Sequence, residues 1–283
     1  MVTPNQKRIA VVMLQDRFGV SQRQACGVLG QHRSTQRHHS RPSSDEAFLR
    51  QRLRAMAVKF PRYGYRRIHV MLIRDGYVCN RKRIQRLWRA EGLHVGQRQR
   101  RKPKTRRNPV QVRASFPNHV WAIDFQFDET ADGRPVKILN VTDEYTREAL
   151  ACAPSRSMTA DGTMTILDHV SDLRGTPPMF LRMDNGPEFI ADAMIDWCRQ
   201  TGINTAFVDP GSPWQNGHIE SFNGKLRDEL LSREVFDSMW EIKVLLEEHR
   251  NTYNHYRPHS SLGYLTPHEY VANWHQQNQR LVS

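Results

Sequence analysis

Acidic residues are nearly missing from the first 113 positions of this 283-residue chain, where five Asp and Glu stand against 28 Lys and Arg. That excludes an ordinary mixed-charge surface over this stretch. From residue 114 the balance reverses, with 24 acids against 14 bases. A basic half joined to an acidic half fits a nucleic-acid-binding part feeding a carboxylate-bearing part. Cysteine is also scarce: Cys26, Cys79, Cys152 and Cys198 are scattered, with no C-x-x-C pair. That excludes a zinc ribbon or finger and leaves free thiols in a reducing compartment as the expectation. No apolar run approaches the roughly 20 residues that cross a bilayer. No signal-peptide pattern opens the chain. The expectation is a cytoplasmic protein with no membrane partner.

Helical periodicity fills the basic half. Ile9, Val12, Met13, Leu14 and Phe18 recur at helical spacing, Gly19 breaks the run, and Ser21 with Gln24 reads as a capping box. The polar, basic stretch 31–39 has the character of a recognition helix, so residues 1–40 read as a helix-turn-helix unit; a plain helical hairpin is the alternative. Residues 40–44 are a linker. Residues 45–95 give three more helices. One carries Ile68, Met71 and Leu72 on one face; another follows the capping Asn80 and turns Ile84, Leu87 and Trp88 inward. This is a second helix-turn-helix-like domain. Arg33, Arg37, Arg66, Arg67, Arg81, Lys82 and Arg83 are its and its predecessor's candidate DNA contacts, against the plainer possibility of a solvated basic face. Residues 96–116, dense in Lys and Arg and holding two prolines, form an extended basic linker.

The character then changes to α/β. The spacing predicts strands over 119–127, 135–142 and 147–153, a helix over 160–173, a strand ending at Asp184, a helix opening at Pro187, a strand over 204–208, and helices around Glu220 and over 238–255. On the first strand Trp121, Ile123, Phe125 and Phe127 point one way, and Ala122, Asp124 and Gln126 the other. The expected fold is a mixed five-stranded sheet covered by helices, residues 117–235, followed by a C-terminal helix and tail over 236–283 that pack on it.

Three carboxylates organise this half. Asp124 lies in WAIDF, Asp184 in RMDNGPEF, and Glu220, 36 positions on, in GHIESFNGKLRDE. Taken singly, each acid reads as a turn or helix cap. Gathered from two strands and a helix, they make an oxygen-only site for Mg²⁺ or Mn²⁺, and a pair of such ions runs in-line phosphoryl transfer. At about 3.6 residues per turn Asn216, Glu220, Asn223 and Arg227 share one helical stripe, beside an apolar stripe of Ile219, Phe222, Leu226 and Leu230. That stripe would offer Glu220 to metal, and Asn216, Asn223 and Arg227 to DNA. Arg227 paired with an acid, on its own helix or on another element, is the alternative. Lys225 is expected in solvent.

These words carry a resemblance. WAIDF, the DEYTR turn at 143–147, RMDNGPEF, PGSPWQNGHIESFNGKLRDE and YNHYRPHSSLGYLTP resemble a retroviral-integrase-type DDE core. More narrowly they are similar to the second-reading-frame transposases of the bacterial insertion-sequence-three family. The family's Asp, Asp and Glu fall on Asp124, Asp184 and Glu220, and its basic residue seven further on falls on Arg227. The resemblance implies a ribonuclease-H-like fold, dependence on Mg²⁺ or Mn²⁺ with two ions, 3′-end cleavage and strand transfer. It also implies double-stranded DNA partners (terminal inverted repeats and target), a homo-oligomer on DNA, an upstream reading frame's product as partner, and a nucleoid-associated location. The integrase zinc domain has no counterpart here: His32, His38 and His39 lack cysteines at ligand spacing, and Pro258 separates His255 from His259. Two rival functions remain: a DNA-binding regulator or inhibitor of transposition, inactive without the upstream product, and a ribonuclease H.

Overall fold

The computed structural model describes residues 3–38, 45–93, 112–184, 192–207 and 216–282. The 40–44 linker, most of the basic linker, the Asn185–Gly186 turn with the helix start at Pro187, and most of the 209–217 loop lie outside the described residues. The chain divides into two compact units, Met1–Arg52 and Leu53–Ser283.

In the first unit, α1 (Pro4–Phe18) starts at a Thr3–Gln6 capping box and stops at Gly19, whose φ of +61° a side chain would strain. The Ser21–Gln24 box opens α2 (Gln22–Val28). The expected recognition helix shrinks to one short turn, α3 (Arg33–Arg37), capped by the His32 ring. The Arg8 guanidinium of α1 donates to the carbonyls of Thr35 and His38 at its end. Val11, Ala25 and Cys26 form the small core, with Leu14, Val20 and Leu29 around it. Ile9, Val12, Met13 and Phe18 face outward.

The second unit begins within α4 (Glu46–Lys59), followed by α5 (Tyr65–Arg74) and α6 (Arg81–Ala90). Leu53, Met56, Ile68, Leu72, Ile84, Leu87 and Trp88 are buried. Asn80 caps α6 by accepting from the Lys82 amide at 2.8 Å.

Then comes a five-stranded sheet in the order β3-β2-β1-β4-β5, with β1 Val120–Glu129, β2 Pro135–Asp143, β3 Ala149–Ser155, β4 Phe180–Met183 and β5 Asn204–Phe207. The first three strands run antiparallel; β4 is parallel to β1 and β5 to β4. This is the mixed, ribonuclease-H-like sheet the sequence predicts. Odd-numbered residues of β1 bury into one layer: Trp121 and Ile123 pack with Leu139, Leu181, Met183 and the helices α7 (Ala160–Arg174) and α8 (Asp192–Gln200). The opposite face packs Val136 and Ile138 against Phe222 and Leu226 of α9 (Gly217–Leu226), and Ile242 and Leu246 of α10 (Met239–His255). Phe127, on the same side of β1 as Trp121 and Ile123, is 60% exposed. The tail holds a helix of its own, α11 (Pro267–Val282), with Thr266 and Glu269 exchanging capping hydrogen bonds at its start.

Candidate active site and nucleic-acid interface

Strand register brings the two aspartates together. Ala122 of β1 pairs in parallel with Arg182 of β4. Two residues further along each strand stand Asp124 and Asp184, on the same face by the period of two. That is the face α9 covers, and Glu220 sits in the first turn of α9. Its apolar stripe, Ile219, Phe222 and Leu226, is buried as expected. Packing by that stripe leaves Glu220 exposed beside the sheet.

A ladder of amides fixes Asp124. One carboxylate oxygen accepts from the Phe125 amide at 2.9 Å, the other from the Asn223 side chain at 2.8 Å. Asn223 in turn accepts from Asn140 at 2.8 Å, the residue opposite Asp124 on β2. Gln126 donates to the Asn223 carbonyl at 3.1 Å. The three bonds to Asn223 join α9 to the sheet, so the distance from Glu220's helix to Asp124 is set by hydrogen bonds as well as packing.

Electrostatics ties Asp124 to both other acids. Burial first, then the charge of Asp184, and further on that of Glu220, push the Asp124 carboxyl up to about 6; the Phe125 and Asn223 hydrogen bonds oppose this. Three repelling carboxylates with only oxygen donors suit a hard divalent cation, whose charge relieves the repulsion. Among the described residues no three His, Cys, Asp or Glu side chains close into a metal cage. Asp184 and Glu220 are exposed.

At three places the expected DNA-facing stripe is buried or engaged within the chain. Asn223 turns inward, its amide committed to Asp124 and Asn140. Asn216 is buried, and its Oδ1 has no hydrogen-bond partner among the described residues. Arg227 ion-pairs with Asp128 of β1 at 2.7 Å and also donates to the Phe127 carbonyl. The acid partner lies on a strand, brought there because β1 and α9 run side by side past the site. At Arg227 the helix also widens into one π-helical turn, Arg227–Leu231, which ends the simple 3.6-residue phase.

The helical segments vary in the same way. Arg33, Arg37, Arg66, Arg81 and Lys82 are exposed, and Arg83 is half-buried. Arg37 donates to Gln22 at 3.0 Å and Arg66 to the Tyr65 hydroxyl at 3.3 Å. Arg67 is not a surface cation: it lies 5.3 Å over the Tyr63 ring and 4.0 Å from Glu229. Lys225, expected in solvent, is half-buried over Tyr253. His259 sits 3.2 Å from the Tyr253 carbonyl, pushed down to about 2 by burial, and the His255 ring packs on His268. Sequence reasoning missed Arg257, which is 2% exposed and forks onto both Glu229 oxygens. A lone cation between Tyr256 and Pro258, in a tail with little else to pair it, was the available signal.

Comparison with known proteins gives a consistent set of matches. Two family models described as "Integrase core domain" match residues 114–213 and 201–267, and an "HTH-like domain" matches residues 43–102. The chain is 36% identical over 276 residues to the IS476 insertion-element uncharacterized 39.2 kDa protein of Xanthomonas euvesicatoria, covering 98% of this chain and 80% of that one. It is 36% identical over 259 residues to the IS407 uncharacterized 31.7 kDa protein of Burkholderia multivorans, covering 92% and 93%. Among solved structures, a chain of the simian T-cell lymphotropic virus intasome superposes with a TM-score of 0.50 at 17% identity, over 68% of this chain and 67% of that one, a likeness of fold.

Proposed function

This chain belongs to the second-reading-frame transposases of the bacterial insertion-sequence-three family, polynucleotidyl transferases with an integrase core, and on that premise we propose that it cuts the 3′ ends of its own element and joins them to target DNA. In the first step a water oxygen attacks a phosphodiester phosphorus in line, and the element's 3′ oxygen leaves and takes a proton. In the second that 3′-hydroxyl attacks a target phosphodiester, and a target 3′ oxygen leaves. One P–O bond forms and one breaks each time, so no oxidant or energy source is needed.

The observation that carries the reading is the position of Asp124, anchored by Asn223 and lying in the fields of Asp184 and Glu220. These three would hold Mg²⁺ or Mn²⁺, as two ions. Bound there, the metal supplies Lewis-acid stabilisation of the attacking and leaving oxygens. The chain's own part is positioning: the amide ladder holds Asp124 at a fixed place, and α9 presents Glu220 beside it. Terminal inverted repeats, target DNA, a second copy of this chain and the upstream frame's product are the partners this function requires. Among the described residues no helix is long and apolar enough to cross a membrane.

One observation favours the regulator reading for the chain alone: Arg227 is committed to Asp128. A single-turnover assay decides, using pre-nicked duplexes copied from the DNA flanking the gene. Mg²⁺ or Mn²⁺ should give strand-transfer product, and a chelator none. Binding without product at any metal concentration would select the regulator. Product formed equally well under chelator would overturn the metal-dependent mechanism.

A further inference from the structure

Beside Glu220 a cavity of about 280 Å³ opens between α9, the α4–α5 connection and the C-terminal tail. Its charged lining is Arg62, Arg67, Lys225 and Arg257 against Glu220, Asp228 and Glu229. Most of these charges are spent on one another. Arg257 holds both oxygens of Glu229, at 2.6 to 3.1 Å. Arg62 lies 3.3 Å from the Asp228 carboxylate. Arg67 reaches only to 4.0 Å from Glu229, an acid already forked by Arg257. Lys225 has neither a hydrogen bond nor an ion pair among the described residues; its Nζ lies 5.7 Å from the centre of the Tyr253 ring. Glu220 lines the cavity and its charge also acts on Asp124, so Lys225, with no ion pair, and Arg67, held only at 4.0 Å from Glu229, are the two cations there without a close carboxylate.

A half-buried ammonium with three unfilled donors is costly to keep charged. Burial, and then the charge of Arg257, pull Lys225 down to about 8. Burial likewise lowers Arg67. An anion entering the cavity would satisfy both, and an ammonium is a good point-charge partner for a phosphate oxygen. The volume admits several waters at about 30 Å³ each, hence a solvated phosphodiester but not a base pair.

We propose that Lys225 and Arg67 form a phosphate subsite beside Glu220, which holds one backbone phosphate of the DNA strand whose 3′ end reacts. The subsite rests on the transferase reading for its ligand. Arg62 and Arg67 bring the helical segment before the sheet into the lining of this cavity beside Glu220. Lys225 and Arg67 are positioning residues here, since neither touches the reacting atoms.

The test uses the full chain and duplexes copied from the DNA flanking the gene. Removing one cation that neutralises a phosphate should make the slope of log affinity against log salt shallower by about 0.9. Lys225→Gln should show that change, so that a fourfold rise in salt costs it about 3.5-fold less affinity than it costs the parent. Lys225→Arg should restore the slope, at an unchanged melting temperature in both variants. Duplexes carrying a single neutral methylphosphonate, stepped back from the 3′ end, should then reveal one position that weakens the parent but not Lys225→Gln. Equal slopes for parent and Lys225→Gln, or every methylphosphonate acting alike on both, would overturn the subsite. Cutting by the parent would survive that result. Failure of the transferase reading would instead show as no cutting by the parent, whatever the slopes.

Discussion

Glu220→Gln and Asp184→Asn should each lower single-turnover cleavage and strand transfer by at least about 100-fold, roughly 2.7 kcal/mol on the barrier. Both substitutions keep the side chain's shape and remove an anionic metal ligand. Both residues are exposed, so the fold should not notice. The structure adds a sharper expectation. Burial is the main reason the Asp124 carboxyl is raised to about 6, and removing either charge takes away part of what the neighbouring acids add to it. Its titration, followed by carbon NMR of labelled aspartate, should therefore move to lower pH in both variants. Lost activity with an unmoved Asp124 would mean that the acids act separately. Activity within a few fold of the parent would remove them from the reaction.

The second large effect is on stability. Arg257→Ala should cost about 3 kcal/mol, because it strips the nearly buried Glu229 of its forked partner and leaves Arg67, at 4.0 Å, as the remaining ion-pair contact. Arg257 is nearly inaccessible, lying 5.4 Å from the Tyr253 ring centre and 5.8 Å from that of Tyr63. The pair ties the tail to the π-helical turn after α9, so its loss loosens the support of Glu220's helix. The pH dependence has a definite sign. Burial alone would raise Glu229, but the Arg257 hydrogen bonds and charge win and hold it below the usual carboxylate range. A depressed carboxylate contributes stability above its unfolded value, lost as pH falls through the folded one. Without Arg257 that contribution is gone and burial favours the protonated acid. The deficit of Arg257→Ala should therefore shrink towards acid pH in urea titrations. Arg257→Met combined with Glu229→Leu should recover part of the loss, since the buried pair goes together while Arg67 and Lys225 stay half-buried. A deficit under about 1 kcal/mol would show the pair to be as weak as an exposed one.

Much of this arrangement is legible in the sequence because local chemistry and periodicity decide it. Period-two alternation on β1 separates Trp121 and Ile123 from Asp124, and the i, i+3, i+7 apolar stripe of α9 buries Ile219, Phe222 and Leu226. Ser21 with Gln24, and Asn80, announce helix starts. Thr266, Pro267 and Glu269 carry the same signal for α11, which a reading of the tail as one helix and an extension overlooked. What spacing does not supply is the partner across a tertiary contact. It put Asn223 and Arg227 on Glu220's side of the helix. It did not show that Asn140 and Asp124 would take Asn223, or that Asp128 would take Arg227. Lys225 looked solvated for the same reason: the groups that bury it, Arg257 and Tyr253, come from the tail. Arg8 is a similar case, since it reaches the carbonyls of Thr35 and His38 from another helix.

Direct measurement of Mn²⁺ binding tests the central claim, that Asp124, Asp184 and Glu220 act as one metal site. Electron paramagnetic resonance would count free Mn²⁺ in titrations of the parent and of Asp124→Asn, without DNA, at a pH well above 6 where Asp124 is ionised. Proton and metal compete for the same oxygens, so the parent's affinity should fall as pH drops through about 6. The parent is predicted to bind saturably, and Asp124→Asn to lose that binding at an unchanged melting temperature. Equal Mn²⁺ affinity in the two proteins would contradict the account.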